Sequence, residues 1–121
     1  MGKTRQRAVL ESYKHKAAKE VLAGWLKDDF DVIPEVELSI DGWAFIVDLV
    51  TYRNGHIQAF YEVTHTHPVD ARKLCRMQHY CWMNYLDIFC HEVDAEWILR
   101  QVTKPDMLVK FTFELNEIQA D

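Results

Sequence analysis

A chain of 121 residues, 49% of them hydrophobic, has the size and apolar content of one globular domain and excludes a disordered segment. Its net charge of −5 argues against a general nucleic-acid binder. No apolar run approaches the roughly 18 residues that cross a bilayer, which argues against a membrane partner.

The charge is unevenly spread. The first 19 residues hold six basic side chains (Lys3, Arg5, Arg7, Lys14, Lys16, Lys19) and one acid, Glu11, so that +5 at one end faces −10 over the rest. Such an acidic body with basic edges suits a protein that holds a metal in one place and grips phosphates in another. The start, MGKTRQRAVLESYKHK, has no apolar segment behind it and does not read as a secretory signal. Gln6 stands where a myristoylation pattern wants Ser or Thr. Three cysteines, at 75, 81 and 90, are odd in number and irregular in spacing, which points to free thiols in a reducing, intracellular compartment.

Residues 6–27 are expected to form a helix, with a stripe through Val9, Tyr13, Ala17, Val21, Gly24 and Leu26. Glu20 lies near that stripe; it either points inward or pairs with Lys16 on the surface. Residues 32–40 alternate as a half-exposed strand, with Pro34 marking an edge. Asp41-Gly42 signals a hairpin. Residues 43–51 are apolar apart from Asp48, as in a strand buried on both faces. Arg53-Asn54-Gly55-His56 is the next turn, and residues 57–64 the third strand of an antiparallel meander. Pro68 stops it. A helix over residues 69–85 follows, with Arg72, Arg76 and Gln78 outward. A fourth strand over residues 86–93 is expected beside the third, in parallel. Asp94 can cap a short helix, and residues 107–115 alternate as a last strand. The whole reads as a single domain, its core spanning residues 6–101 and an added strand 105–116.

Two acids stand out, Asp48 and Glu62, each inside an apolar strand. A lone carboxylate there is costly unless paired, protonated or bound to a metal. The register decides whether they meet. A strict two-residue Asn54-Gly55 turn puts them on opposite faces; an odd loop or a compensating bulge sets them opposite each other. Together, with the Val63 carbonyl, they offer oxygen ligands for Mg²⁺ or Mn²⁺. His65 and His67 with Cys75 and His79 match no standard zinc spacing, and read as a core thiol and surface imidazoles.

A helix with a His/Lys face (His15, Lys16, Lys19), then Asp48, then Glu62-Val63-Thr64-His65-Thr66-His67-Pro68-Val69-Asp70-x-x-Lys73, then a strand ending His91-Glu92-Val93-Asp94, resembles the PD-(D/E)XK nuclease superfamily, in particular its competence CoiA-like branch. The resemblance covers roughly residues 12–94 and rests on the order and spacing of short motifs. It implies an α/β, restriction-endonuclease-like core: helix, three-stranded antiparallel meander, helix and strand, here with a C-terminal short helix and strand. It also implies metal-dependent hydrolysis of phosphodiester bonds, in DNA more than in RNA. By position Asp48 and Glu62 would be the metal ligands, with Glu20 a third acid carried on the helix. The superfamily's usual Lys two residues after the Glu is Thr64 here. A Thr carries no charge, so Lys73 would have to supply it from the helix, with Thr64 and His65 assisting. Lys14, Lys16, Lys19, Arg72 and Arg76 would touch phosphates. A chain this short offers a narrow groove, which suits a homodimer. The alternative is an inactive member of the same fold that binds nucleic acid or assembles with protein.

Overall fold

The computed structural model describes residues 13–101 and the backbone of residues 111–114. Within them lie a helix α1 (Tyr13–Leu26), strands β1 (Asp31–Ile40), β2 (Trp43–Arg53) and β3 (His56–Thr64), a helix α2 (Ala71–Met83), strand β4 (Phe89–Asp94), a short helix α3 (Ala95–Leu99) and strand β5 (Phe111–Glu114). The strands form one mixed sheet in the order β1-β2-β3-β4-β5. β1, β2 and β3 are mutually antiparallel, β4 runs parallel to β3, and β5 returns antiparallel to β4. The architecture is α/β, with the meander, the parallel fourth strand and the edge position of Pro34 as the sequence implied. Residues 6–12, the start expected at 107, and Lys3, Arg5 and Arg7 fall outside the described residues.

Both hairpins turn on two residues with positive φ: Asp41 at 51° and Gly42 at 80°, Asn54 at 54° and Gly55 at 81°. A type I′ turn requires this pair of angles, and Asp-Gly and Asn-Gly reach them most cheaply.

The sheet separates two apolar clusters. On one face Ala18, Leu22 and Leu26 of α1 pack with Leu49, Tyr61, Val63 and Val93, and with Ala95 and Ile98 of α3. On the other, Met77 and Cys81 of α2 pack with Phe45, Val47, Val50, Phe60 and Cys90. Several expectations shift here. The buried stripe of α1 is Ala18, Lys19, Leu22 and Leu26, not the Tyr13–Ala17 phase; Tyr13 is exposed. Gln78 of α2 is buried rather than outward. β2 is buried on both faces only over its second half, because Trp43 and Ile46 at the hairpin tip stay half exposed. β4 begins at Phe89, three residues later than the apolar run, since Leu86 and Ile88 pack as a connector.

α2 is fixed at its start by Asp70, whose side chain accepts the Arg72 N–H at 2.7 Å. Losing such a cap costs about 1 kcal/mol. Asp70→Ala is therefore expected to lower stability by about that much in denaturant unfolding, with an unchanged m-value.

Candidate active site

The register between β2 and β3 brings Asp48 and Glu62 together. Arg53 pairs with His56 and Tyr52 with Ile57 across the tight turn, but Thr51 pairs with Ala59. Gln58 is thus the extra residue of a β-bulge, which shifts the ladder by one. From there Val50 faces Phe60 and Leu49 faces Tyr61. The next position sets Asp48 against Glu62. The compensating bulge, not an odd loop, supplies the geometry.

A second irregularity frees Asp48 from ordinary pleating. Val47 belongs to the α2-side cluster and Leu49 to the α1-side cluster, although residues two apart should share a face. β1 does the same: Val32 packs on the α1 side and Val36 on the α2 side. Between them Glu35 takes a φ of 55°, costing about 1–2 kcal/mol for a residue with a Cβ. Both strands therefore change faces at the level where Glu35 lies across from Asp48.

Beyond Leu49 and Tyr61 side chains replace the backbone ladder. The Asp48 N–H donates to Glu62 Oε2 at 2.9 Å, and the Val63 N–H donates to Asp48 Oδ2 at 2.8 Å. Each acid caps the other's strand. Two basic side chains close on this clasp from opposite faces. Lys73, in the first turn of α2, donates from Nζ to Glu62 Oε1 at 2.6 Å. His15, half-buried three residues before Ala18 on α1, places Nε2 2.7 Å from the Val63 carbonyl oxygen and 3.4 Å from Asp48 Oδ2. A ring nitrogen that close to a carbonyl carries the proton and donates.

Charge follows geometry. Glu62 is 5% exposed; burial and the neighbouring Asp48 push its carboxyl up to about 7, against the pull of Lys73. Burial also works to raise Asp48, but the His15 and Val63 hydrogen bonds and the Lys73 charge outweigh it and hold it below its ordinary value. The two carboxyls thus diverge, one kept ionised and one poised near neutrality. On the next strand Glu92 pairs in register with Glu62, is 2% exposed, and accepts the Val69 N–H at 2.8 Å. It anchors the segment leading into α2, and so positions Lys73.

The pair opens into a cleft of about 520 Å³, lined also by Thr64, His65, His67 and Asp70. Thr64 ends β3, half-buried; His65 Nε2 lies 3.6 Å from Glu96 Oε2, turned toward α3. Asp48, Glu62, the Val63 carbonyl, Lys73, Thr64 and His65 are brought together; other expected residues are not. Glu20 is exposed and lines a separate hollow with Lys16, Lys19 and Glu35. Lys19 is buried and ion-paired with Glu35, a poor grip for phosphate. Lys14 pairs with Glu96 at 3.1 Å. Arg72 and Arg76 line a third hollow with Cys75 and His79, away from His65 and His67, and Cys75 is exposed rather than a core thiol. His15 has no assigned role in the sequence pattern. Its signal was its place three residues before Ala18 on the Ala18-Leu22-Leu26 stripe.

Cys75, Cys81 and Cys90 form no disulfide among the described residues, and no helix among them is long and apolar enough to cross a membrane. Compared with family models, curated proteins and solved structures, the chain finds no match.

Proposed function

We propose that the chain is a divalent-metal-dependent nuclease of the PD-(D/E)XK type, restriction-endonuclease-like in its core, hydrolysing phosphodiester bonds in DNA. The observation that carries the reading is the interlocked Asp48–Glu62 pair with the Lys73 ammonium 2.6 Å from Glu62. It supports the inference that the helix supplies the cation that Thr64 does not. The order of helix, antiparallel meander, helix and parallel strand agrees with such a core.

The donor set bears on the metal. Among the described residues no three His, Cys, Asp or Glu side chains are grouped as a metal site. Mg²⁺ does not require three; it is commonly held by one or two carboxylates and keeps several waters. Asp48, Glu62 and the Val63 carbonyl are all oxygen donors, and each carboxylate has lone pairs beyond those its present partners use. They fit Mg²⁺ or Mn²⁺. Such an ion would polarise a phosphate and lower the pKa of a bound water. The chain's own groups do the rest. Lys73 presents positive charge where a phosphate oxygen gains negative charge. His15 braces Asp48 and the Val63 carbonyl from the opposite face. Thr64 and His65 line the cleft as polar contacts.

A second reading, an inactive scaffold that binds nucleic acid or protein, is favoured by one observation: Lys73 and His15 already engage the acids. The two separate cleanly. Purified protein with Mn²⁺ or Mg²⁺ is expected to cut at least one of nicked, branched, duplex and single-stranded DNA, and to melt higher with metal than with EDTA. No cutting together with no metal-dependent shift would select the scaffold.

A further inference from the structure

We propose that the outer stripe of α2 is a stacking shelf for an unpaired stretch of nucleic acid that continues from the acid cleft. The ligand class rests on the nuclease reading; the site rests on residues outside the acid cleft. Arg72, Cys75, Arg76, His79 and Trp82 recur at helical spacing along one side of α2. The β1–β2 hairpin tip faces the first four of them with Trp43 across a hollow of about 480 Å³.

Trp43 is 57% exposed, a large apolar ring left in water. The Arg76 guanidinium lies 4.8 Å over it and donates from Nη1 to the Ala44 carbonyl at 3.2 Å. That fixes the guanidinium beside the ring, and its other N–H donors make no hydrogen bond among the described residues. Farther along, His79 stacks on Trp82 with ring centroids 6.4 Å apart and planes 27° off parallel. His79 also engages Asp41, the acid at the rim, at 2.9 Å. Planar rings interleaved with guanidinium groups are what a strand of bases and phosphates requires: faces for stacking and forks for charge. A duplex keeps its base faces inside the stack, so the shelf favours single strands.

The shelf also has a direction. Arg72 lines the hollow and the next residue, Lys73, lines the acid cleft, so the first turn of α2 borders both. From Arg72 to Trp82 the helix rises about 15 Å at 1.5 Å per residue, room for a short run of nucleotides. A strand whose phosphate sits at Lys73 would leave over Arg72 onto Trp43 and Arg76.

The test is fluorescence anisotropy of a labelled oligothymidylate against a hairpin duplex of equal length, in EDTA, so that no cutting intervenes. The single strand should bind more tightly. Trp43→Ala should weaken that binding about tenfold, the loss of one stacked base, and leave duplex binding as it was; Trp43→Phe, which keeps a ring, should restore most of it. Arg72→Gln should flatten the salt dependence by roughly 0.7 in log–log slope, one phosphate contact. Equal affinity for duplex, unchanged binding in Trp43→Ala, or competition by polyglutamate as effective as by the oligonucleotide would overturn the shelf. Binding at the shelf by a protein that cuts nothing would count against the nuclease reading alone. Cutting with binding intact in Trp43→Ala would count against the shelf alone.

Discussion

Replacing Lys73 with methionine is expected to slow metal-dependent cleavage about a hundred- to a thousandfold, the usual cost of removing one charge-stabilising donor. Methionine keeps an unbranched stem and removes only the ammonium that sits 2.6 Å from Glu62 Oε1. Lys73 is partly open to the cleft, so the fold should survive. The loss acts in two ways. The phosphate loses its cation, and Glu62 loses the attraction that restrains its upward shift. Raising the pH should therefore restore metal binding in the variant but not its rate. Adding Thr64→Lys to Lys73→Met tests the position of the charge. Thr64 lies two residues beyond Glu62 on β3 and lines the same cleft. A tenfold or larger recovery in single-turnover rate is expected. A Lys73→Met variant that cuts at the wild-type rate would remove Lys73 from the mechanism.

The second large effect is on stability. Glu62 has its carboxyl raised from 4.5 to about 7. Below 4.5 the folded and unfolded chains both carry that proton. Between 4.5 and 7 the unfolded chain gives it up first, so the native state holds more protons and loses stability as pH rises. The loss is complete above 7 and is on the order of 3 kcal/mol. Asp48 works the other way in a separate window: its depressed pKa gives stability that is present above about 3.8 and lost as pH falls further. In EDTA, Glu62→Gln should gain on the wild type from pH 4.5 to 7.5 by about 10 °C in melting temperature, at roughly 3–5 °C per kcal/mol for a domain of this size. Parallel melting curves for the two proteins across that range would disprove the assignment. With Mg²⁺ the order at pH 7.5 should reverse, because metal binds the ionised carboxylate and the amide offers none.

Local chemistry made much of this legible in the sequence. Asp41-Gly42 and Asn54-Gly55 announced their turns because few other residues reach positive φ cheaply. The apolar runs announced strands, and two acids within them announced a site. What stayed hidden depends on contacts between distant segments. The Gln58 bulge has no local signature, since nothing in Ile57-Gln58-Ala59 distinguishes one register from another. The change of faces at Glu35 and Asp48 belongs to two strands jointly. The buried face of α1 is not legible in the sequence because apolar and small residues occur all round it. The buried Ala18-Leu22-Leu26 stripe was set by the sheet, and with that choice Glu20 turned away while His15 turned in. Lys19 misled for the same reason: a lysine reads as surface charge until a partner such as Glu35 is known to meet it.

The sheet keeps two apolar layers apart, one under α1 and α3, the other under α2. The acid clasp takes His15 from the first layer and Lys73 from the second. Whatever occupies those carboxylates therefore acts on the cooperativity of the whole domain. By mass action, a ligand that binds only the assembled clasp stabilises every element needed to assemble it. Leu22 and Met77 lie in different layers, yet amide protection near both should rise together when the clasp is loaded, and partial opening of either helix should become rarer. The site would then serve as a second joint, beside the shared strands, through which the two layers unfold as one.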